Sequence, residues 1–275
     1  MTSSTDIQPR LTTGWEPDVP INDSLLRRFL SAWASACETF AVAVGGRAVC
    51  TPDFAAADYG RPGGWFNSAT LLAPPDPARL EAVLDEIETF FGSGTGQVLL
   101  LSAWPLPDLR PRGWHLEGHP PLLVRPPAGL VPPPACPPVD IVDVDDAALL
   151  VDWERVAAGG YPLPELLPVA PGTIADPSLL RDPRLRFTLG RENGEAVSLG
   201  ALFVEAGIGC FTLGVTRPAA RGRGHWRAHA IRRLLAAPDV WMTGFFSDDS
   251  RPPAERLGFV SLFRLTLWTK TRSTR

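Results

Sequence analysis

Cysteine, tyrosine and surplus positive charge are all scarce in this sequence of 275 residues. The four cysteines, Cys37, Cys50, Cys136 and Cys210, lie far apart and make neither a Cys-x-x-Cys pair nor a Cys/His metal spacing. No metal site is expected, and the thiols read as reduced ones in a cytosolic protein. Net charge is −4 with a pI near 5.6, so no global field draws nucleic acid to the chain. Residues 1–10 are polar and lack the apolar centre of a signal peptide. No window approaches the ~20 uninterrupted apolar residues of a membrane helix. A soluble, cytoplasmic protein with no membrane and no nucleic-acid partner is the expectation.

What is abundant bounds the fold. At 45% hydrophobic, the chain can bury a core in one large domain or two of ordinary size. Nine Trp against two Tyr is unusual, but Trp serves core packing and ligand stacking alike. Thirty Pro and 25 Gly point to many loops and linkers. Seven of the prolines fall within the thirteen residues Pro126–Pro138, which excludes a helix interior or central strand there. This stiff connector divides the chain into a tail over 1–19, a first domain over 20–126, a linker over 127–138 and a second domain over 139–275.

In the second half a strand over Val139–Val144 precedes a helix over Asp145–Gly159, capped by Asp145 or Asp146. Strands 186–190 and 197–205 flank the turn Glu192-Asn-Gly-Glu195. Ala206-Gly-Ile-Gly209 turns the chain into a strand over 210–215. A helix follows over 225–236, then a strand over 240–246, a short helix over 248–257 closed by Gly258, and a final strand pair over 259–269. The order is mixed α/β. The first half gives a partial echo: helix 23–40, strand 40–48, strand 64–72, helix 77–91 capped by Asp76, strand 97–102, and strand 121–124. Arg112-Gly113-Trp114 matches Leu257-Gly258-Phe259, which suggests a degenerate internal repeat.

The segment Cys210-Phe-Thr-Leu-Gly-Val-Thr-Arg-Pro-Ala-Ala-Arg-Gly-Arg-Gly224 runs from strand through loop into helix. Such an order builds an anion site, because the first N–H groups of a helix lack internal partners and its dipole favours negative charge. Gly222 and Gly224 let the backbone close on a phosphate, and Arg221 and Arg223 add charge-assisted donors.

Together with Ser247-Asp-Asp-Ser-Arg-Pro-Pro-Ala-Glu-Arg-Leu-Gly-Phe259, this loop resembles the two signature segments of the GNAT superfamily of acyl-CoA-dependent N-acyltransferases. The resemblance covers 139–269 well and 20–126 only as a faded copy. It implies two GNAT-like domains in tandem, the N-terminal one degenerate because Ala73-Pro-Pro-Asp-Pro77 replaces the phosphate loop. The function it implies is transfer of an acetyl or other acyl group from acetyl-CoA to a primary amine on a small molecule or peptide. In that pattern the backbone of Leu213, Gly214 and Val215 pairs with the pantetheine arm. The amides of Arg221, Gly222, Arg223, Gly224, His225 and Trp226 hold the pyrophosphate. Asp248 stands where the family often has Asn. Two positions depart from the pattern: Trp226 replaces a Gly or Ala, and Ala254 replaces the Tyr that protonates the departing thiolate in many members.

The reaction needs a base for the ammonium proton and a polarised carbonyl. Glu205, Asp248 and Asp249 are the candidate bases, and Ser250 a candidate proton donor to the thiolate; each also reads as a solvated loop group. His225 reads as a phosphate contact or an exposed helix start. Arg227, Arg232 and Arg233 form a basic helix face that reaches the 3′-phosphate of CoA or is simply solvated. Trp65, Phe66, Trp241, Phe245 and Phe246 read as sheet core, with one or two at the acceptor pocket. His115, Glu117 and His119 lack the helical spacing of a zincin and read as a loop. A non-catalytic acyl-CoA-binding relative is the alternative function, and both monomer and homodimer fit a tandem chain.

Overall fold

The computed structural model describes residues 25–272 apart from 62–66, 93, 95, 130–133, 136–138, 162, 164 and 165. The proposed tail 1–19, Trp65, Phe66 and most of the proline linker therefore lie outside the described residues.

The first half opens with α1 (Leu25–Ala43), which buries Phe29, Trp33, Ala36, Cys37, Phe40 and Ala41 along one helical stripe. The expected strand over 40–48 is corrected. Phe40 and Ala41 continue the stripe by helical spacing, and the chain turns only where Gly45 adopts φ +82°. Strands β1 (Arg47–Cys50), β2 (Phe54–Asp58) and β3 (Ser68–Leu71) follow, then α2 (Leu80–Phe91) and β4 (Gln97–Ser102). Asp76 caps a turn just ahead of α2, accepting from the Ala78 amide at 2.9 Å. Strand β2 escaped the sequence reading because its centre is alanine rather than β-branched residues. Strand β5 (His115–Gly118) escaped because its residues are mostly polar, and β6 (Pro121–Arg125) completes this half.

The second half comprises β7 (Asp140–Asp143), α3 (Ala147–Gly160), β8 (Leu185–Glu192), β9 (Glu195–Glu205), β10 (Ile208–Thr216), α4 (His225–Ala236), β11 (Trp241–Phe245), α5 (Arg251–Glu255), β12 (Val260–Arg264) and β13 (Thr266–Thr271). Asp146 caps α3, accepting from the Leu149 amide at 2.7 Å. Asn193 and Gly194 both have positive φ, as the tight hairpin between β8 and β9 requires.

Two mixed sheets result, in the orders β1-β2-β3-β4-β13-β5 and β12-β6-β11-β10-β9-β8-β7. Each sheet borrows a strand. β6, from the first half, is fully buried between β11 and β12 of the second sheet. β13, from the second half, pairs with β4 and β5 of the first. The run His119-Pro120-Pro121 favours extended backbone, so the chain after β5 passes on into the other sheet instead of turning back. The two crossing links touch: Leu265 N–H donates to Pro120 O at 3.0 Å, and Arg264 Nη1 to His119 O at 2.7 Å. The proline linker thus separates the halves of the sequence but not the two sheets.

The internal repeat is visible in topology. β3–α2–β4 and β10–α4–β11 are both crossover units joining parallel strands. Each leads to a glycine with positive φ, Gly113 or Gly258, followed by a buried aromatic, Trp114 or Phe259. One core cluster runs from α1 and β2 through α3 and β8–β10, so the halves share their packing.

Candidate functional site

β10 and β11 pair only where Ile208–Cys210 meets Trp241–Thr243. Beyond that, β10 bulges between Phe211 and Leu213. β11 keeps to β6 as far as the Phe245–Leu122 pair. The strands part, and a cavity of about 450 Å³ opens between them. Phe211, Thr212, Leu213 and Gly214 form one wall and Phe245, Phe246, Ser247 and Asp248 the other. Trp226 and Arg233 of α4, Tyr161 after α3, Glu117 of β5 and His119 of the crossing link also line it.

The glycine loop enters α4 as expected. Gly222 and Gly224 take φ of +78° and +91°, values that a side chain would strain. Among the described residues, the amides of Gly222, Arg223, Gly224, His225 and Trp226 find no acceptor within the chain. Free amides on a positive-φ loop at a helix start form an anion cradle. Arg221 Nε donates to Thr216 O at 3.1 Å, and Arg223 donates to Ala219 O at 2.9 Å and Glu192 at 2.5 Å.

Two expectations about α4 are corrected. The His225 ring is neither exposed nor at the loop surface: it is buried, with Nδ1 2.9 Å from Ser198 Oγ and Nε2 2.9 Å from Glu192. Only its amide is available. Arg233, counted on the basic face, is buried, whereas Leu235 is exposed. Arg232 pairs with Asp143 at 2.5 Å, and Arg227 alone of the three is on the surface without an ion pair. His225, His229 and Arg233 therefore form an inward polar ladder one turn apart. His229 sits between Thr188 Oγ1 at 2.8 Å and Ser198 Oγ at 2.9 Å. Burial, with help from Arg233 and His225, pushes its pKa down to about 3, so the ring is neutral. The carboxyl of Glu192 is held below its usual range, chiefly by its bond to His225.

The remaining candidates divide. Asp248 and Ser250 line the cavity. Asp248 is bound to Arg264 at 2.6 Å, which lowers its carboxyl pKa and weakens it as a base. Ser250 Oγ accepts from Ser247 Oγ at 2.9 Å. Glu205 is elsewhere: it stands opposite Ile208, at the closed end of the strand pair, with Arg184 at 3.2 Å. Gly214 presents its polar groups to the Tyr161 hydroxyl, donating to it at 3.0 Å and accepting from it at 3.1 Å. Leu213 O accepts from Arg233 at 3.0 Å. Val215 packs closely on Gly160. Trp226 is half-buried, its ring edge-on to Phe246 at 6.2 Å. Ala254 is sealed in the core beside Phe259 and Leu257. No group of three or more metal-ligating side chains occurs among the described residues.

Sequence reading passed over Tyr161, placed Arg233 on a basic outer face and read Glu117 and His119 as a loop. Their arrival depends on the strand crossing and on α4's rotation, neither of which a local pattern reveals. One signal was present for the ladder: Gly190, Gly200 and Gly214 lie where a Cβ would crowd the buried His and Arg side chains.

No family model and no curated protein matches the chain. Solved structures do. A GCN5-related N-acetyltransferase from Kribbella flavida superposes with a TM-score of 0.60 at 17% identity, over 86% of this chain and 95% of that one. The chain has the GNAT fold. A protein assigned to the GNAT family from Novosphingobium aromaticivorans superposes with a TM-score of 0.54 at 18% identity, over 87% and 99% of the two chains. A conserved protein of unknown function from Staphylococcus epidermidis gives 0.58 at 12% identity, over 84% and 96%. These matches span most of the chain, and its two mixed sheets are consistent with GNAT-like units in tandem.

Proposed function

We propose that this protein binds an acyl-CoA in the second sheet and transfers its acyl group to a primary amine. The observation that carries the reading is the row of free amides from Gly222 to Trp226 between β10 and α4, the last of them on a residue that also lines the cavity. A diphosphate suits those amides and the helix dipole. The opening takes an extended arm, and the β10 edge at Gly214, capped by Tyr161, offers backbone groups for strand-like pairing. The arm's amide would replace the Tyr161 hydroxyl on Gly214. In the reaction the amine nitrogen attacks the thioester carbonyl, the thiolate leaves and the ammonium proton passes to a base. Asp248 is tied to Arg264, so Glu117, which has no cationic partner among the described residues, is the better-placed base.

A thermal-shift titration with CoA and acetyl-CoA tests the binding. Saturable stabilisation is expected. A shift with ATP or NAD but none with CoA would overturn it. Turnover is read separately, as thiol release from acetyl-CoA across a panel of amines. The second reading, acyl-CoA binding without catalysis, is favoured by one observation: the position of the usual acid is a core alanine, Ala254. Binding with no thiol release from any amine would select it.

A further inference from the structure

Arg233 is only 3% exposed, yet it faces the cavity. Its Nε donates to His229 O at 3.2 Å, its Nη1 to Leu213 O at 3.0 Å and Ala201 O at 3.3 Å. The guanidinium lies over the Phe211 ring, 3.9 Å from the centroid. Nη2 has no acceptor among the described residues. It is directed at Gly214, where an added Cβ would stand 3.3 Å away, so the glycine leaves the cation open toward the cavity.

No carboxylate pairs with Arg233 among the described residues, whereas the other guanidinium lining the cavity, Arg264, is bound to Asp248. Burying a charge without a counter-ion is costly, and folding alone does not require one here. The Thr212 hydroxyl, on the same wall, is also buried without a partner. Burial pushes the Arg233 pKa down to about 9, which leaves it charged at neutral pH.

We propose that Arg233 anchors a carboxylate carried by one of the substrates, so that the cavity selects an anionic reactant. A carboxylate accepting from Nη2 supplies the counter-charge that the fold withholds. The inference rests on the acyl-transfer reading for which substrates are in play. The carboxylate has two sources: the distal end of a dicarboxylic acyl chain, or an amino-acid acceptor.

Calorimetric titration of the full chain distinguishes them, with succinyl-CoA against acetyl-CoA in one arm and glycine against methylamine in the other. The wild type should prefer the carboxylate-bearing member of at least one pair by about tenfold or more, the scale of a charge-assisted contact. Arg233→Met should abolish that preference, and Arg233→Lys, which keeps the charge without the planar fork, should retain part of it. A preference in the first arm assigns the carboxylate to the acyl chain, and in the second to the acceptor. No preference in either arm, or a preference that survives in Arg233→Met, overturns the proposal. Absence of binding by CoA itself counts against the acyl-CoA reading instead, and the glycine–methylamine arm still decides for Arg233.

Discussion

The units β3–α2–β4 and β10–α4–β11 trace the same path and do opposite things. In the first, the chain leaves its strand through Ala73-Pro-Pro-Asp-Pro77 and enters a helix with Glu81 in its first turn. The inward face of α2 is wholly apolar: Leu80, Val83, Leu84, Ile87 and Phe91. In the second, two positive-φ glycines open the loop, the first helical turn carries no acid, and the inward face holds His225, His229 and Arg233. A crossover is thus a scaffold indifferent to function. Free amides on a positive-φ loop leave one copy able to receive an anion, while prolines and acids close the other.

Gly224→Asp is the sharpest way to break this comparison. It places a side chain at φ +91° and a negative charge on the cradle, and CoA affinity should fall on the order of 100-fold or more. Ala78→Asp, at the equivalent loop of the first unit, should leave CoA affinity unchanged. Equal losses in the two variants would mean that the cradle is misplaced.

Trp268→Ala should come next in size. Trp268 lies in the second half of the sequence but packs beside Leu84, Ile87 and Trp114 of the first sheet. Its truncation should cost about 3–5 kcal/mol in denaturant unfolding and lower the amide-exchange protection of β4 more than that of β9. The reverse protection pattern would contradict the exchanged strand.

The buried ladder gives a pH signature that an apolar α2 cannot. The unfolded His229 takes a proton near its ordinary 6.5, and the folded one only near 3. Between those values the unfolded chain holds the extra proton, so stability falls as pH drops through the window. The slope reaches about 1.4 kcal/mol per pH unit for one group. His229→Asn should flatten the melting temperature between pH 6.5 and 4.5, above the range where paired carboxylates begin to protonate. An unchanged slope would place the titration elsewhere.

The smallest effect concerns Tyr161. If its hydroxyl holds the strand edge until a ligand arrives, Tyr161→Phe should tighten CoA binding about three- to tenfold, the worth of one hydrogen bond. Weaker binding in the calorimeter would instead make Tyr161 part of the ligand's own grip.

Much of this was legible in the chain. The bounds of α4 follow from Gly224 and the apolar spacing after it, and Asp146 announced the start of α3. What could not be read was the pairing of β6 and β13, since a strand's own pattern does not name the sheet it joins. Arg233 was read as part of a basic outer face, phosphate-binding or solvated, because periodicity counts arginine as polar, and only its neighbours reveal that it points inward. Glu205 looked well placed because it ends a strand near the loop in sequence, but β10 carries the opening to the far end of that pair.

The exchanged strands also make the molecule a single cooperative body, however bipartite its sequence. Neither half encodes a whole sheet, since 47–118 lacks its β13 and 140–264 lacks its β6. Were the peptide chain severed between Arg125 and Asp140, the two pieces would remain clasped, each filling the gap in the other. Each expressed alone would carry two raw strand edges at the centre of its sheet, and would be expected to aggregate rather than fold.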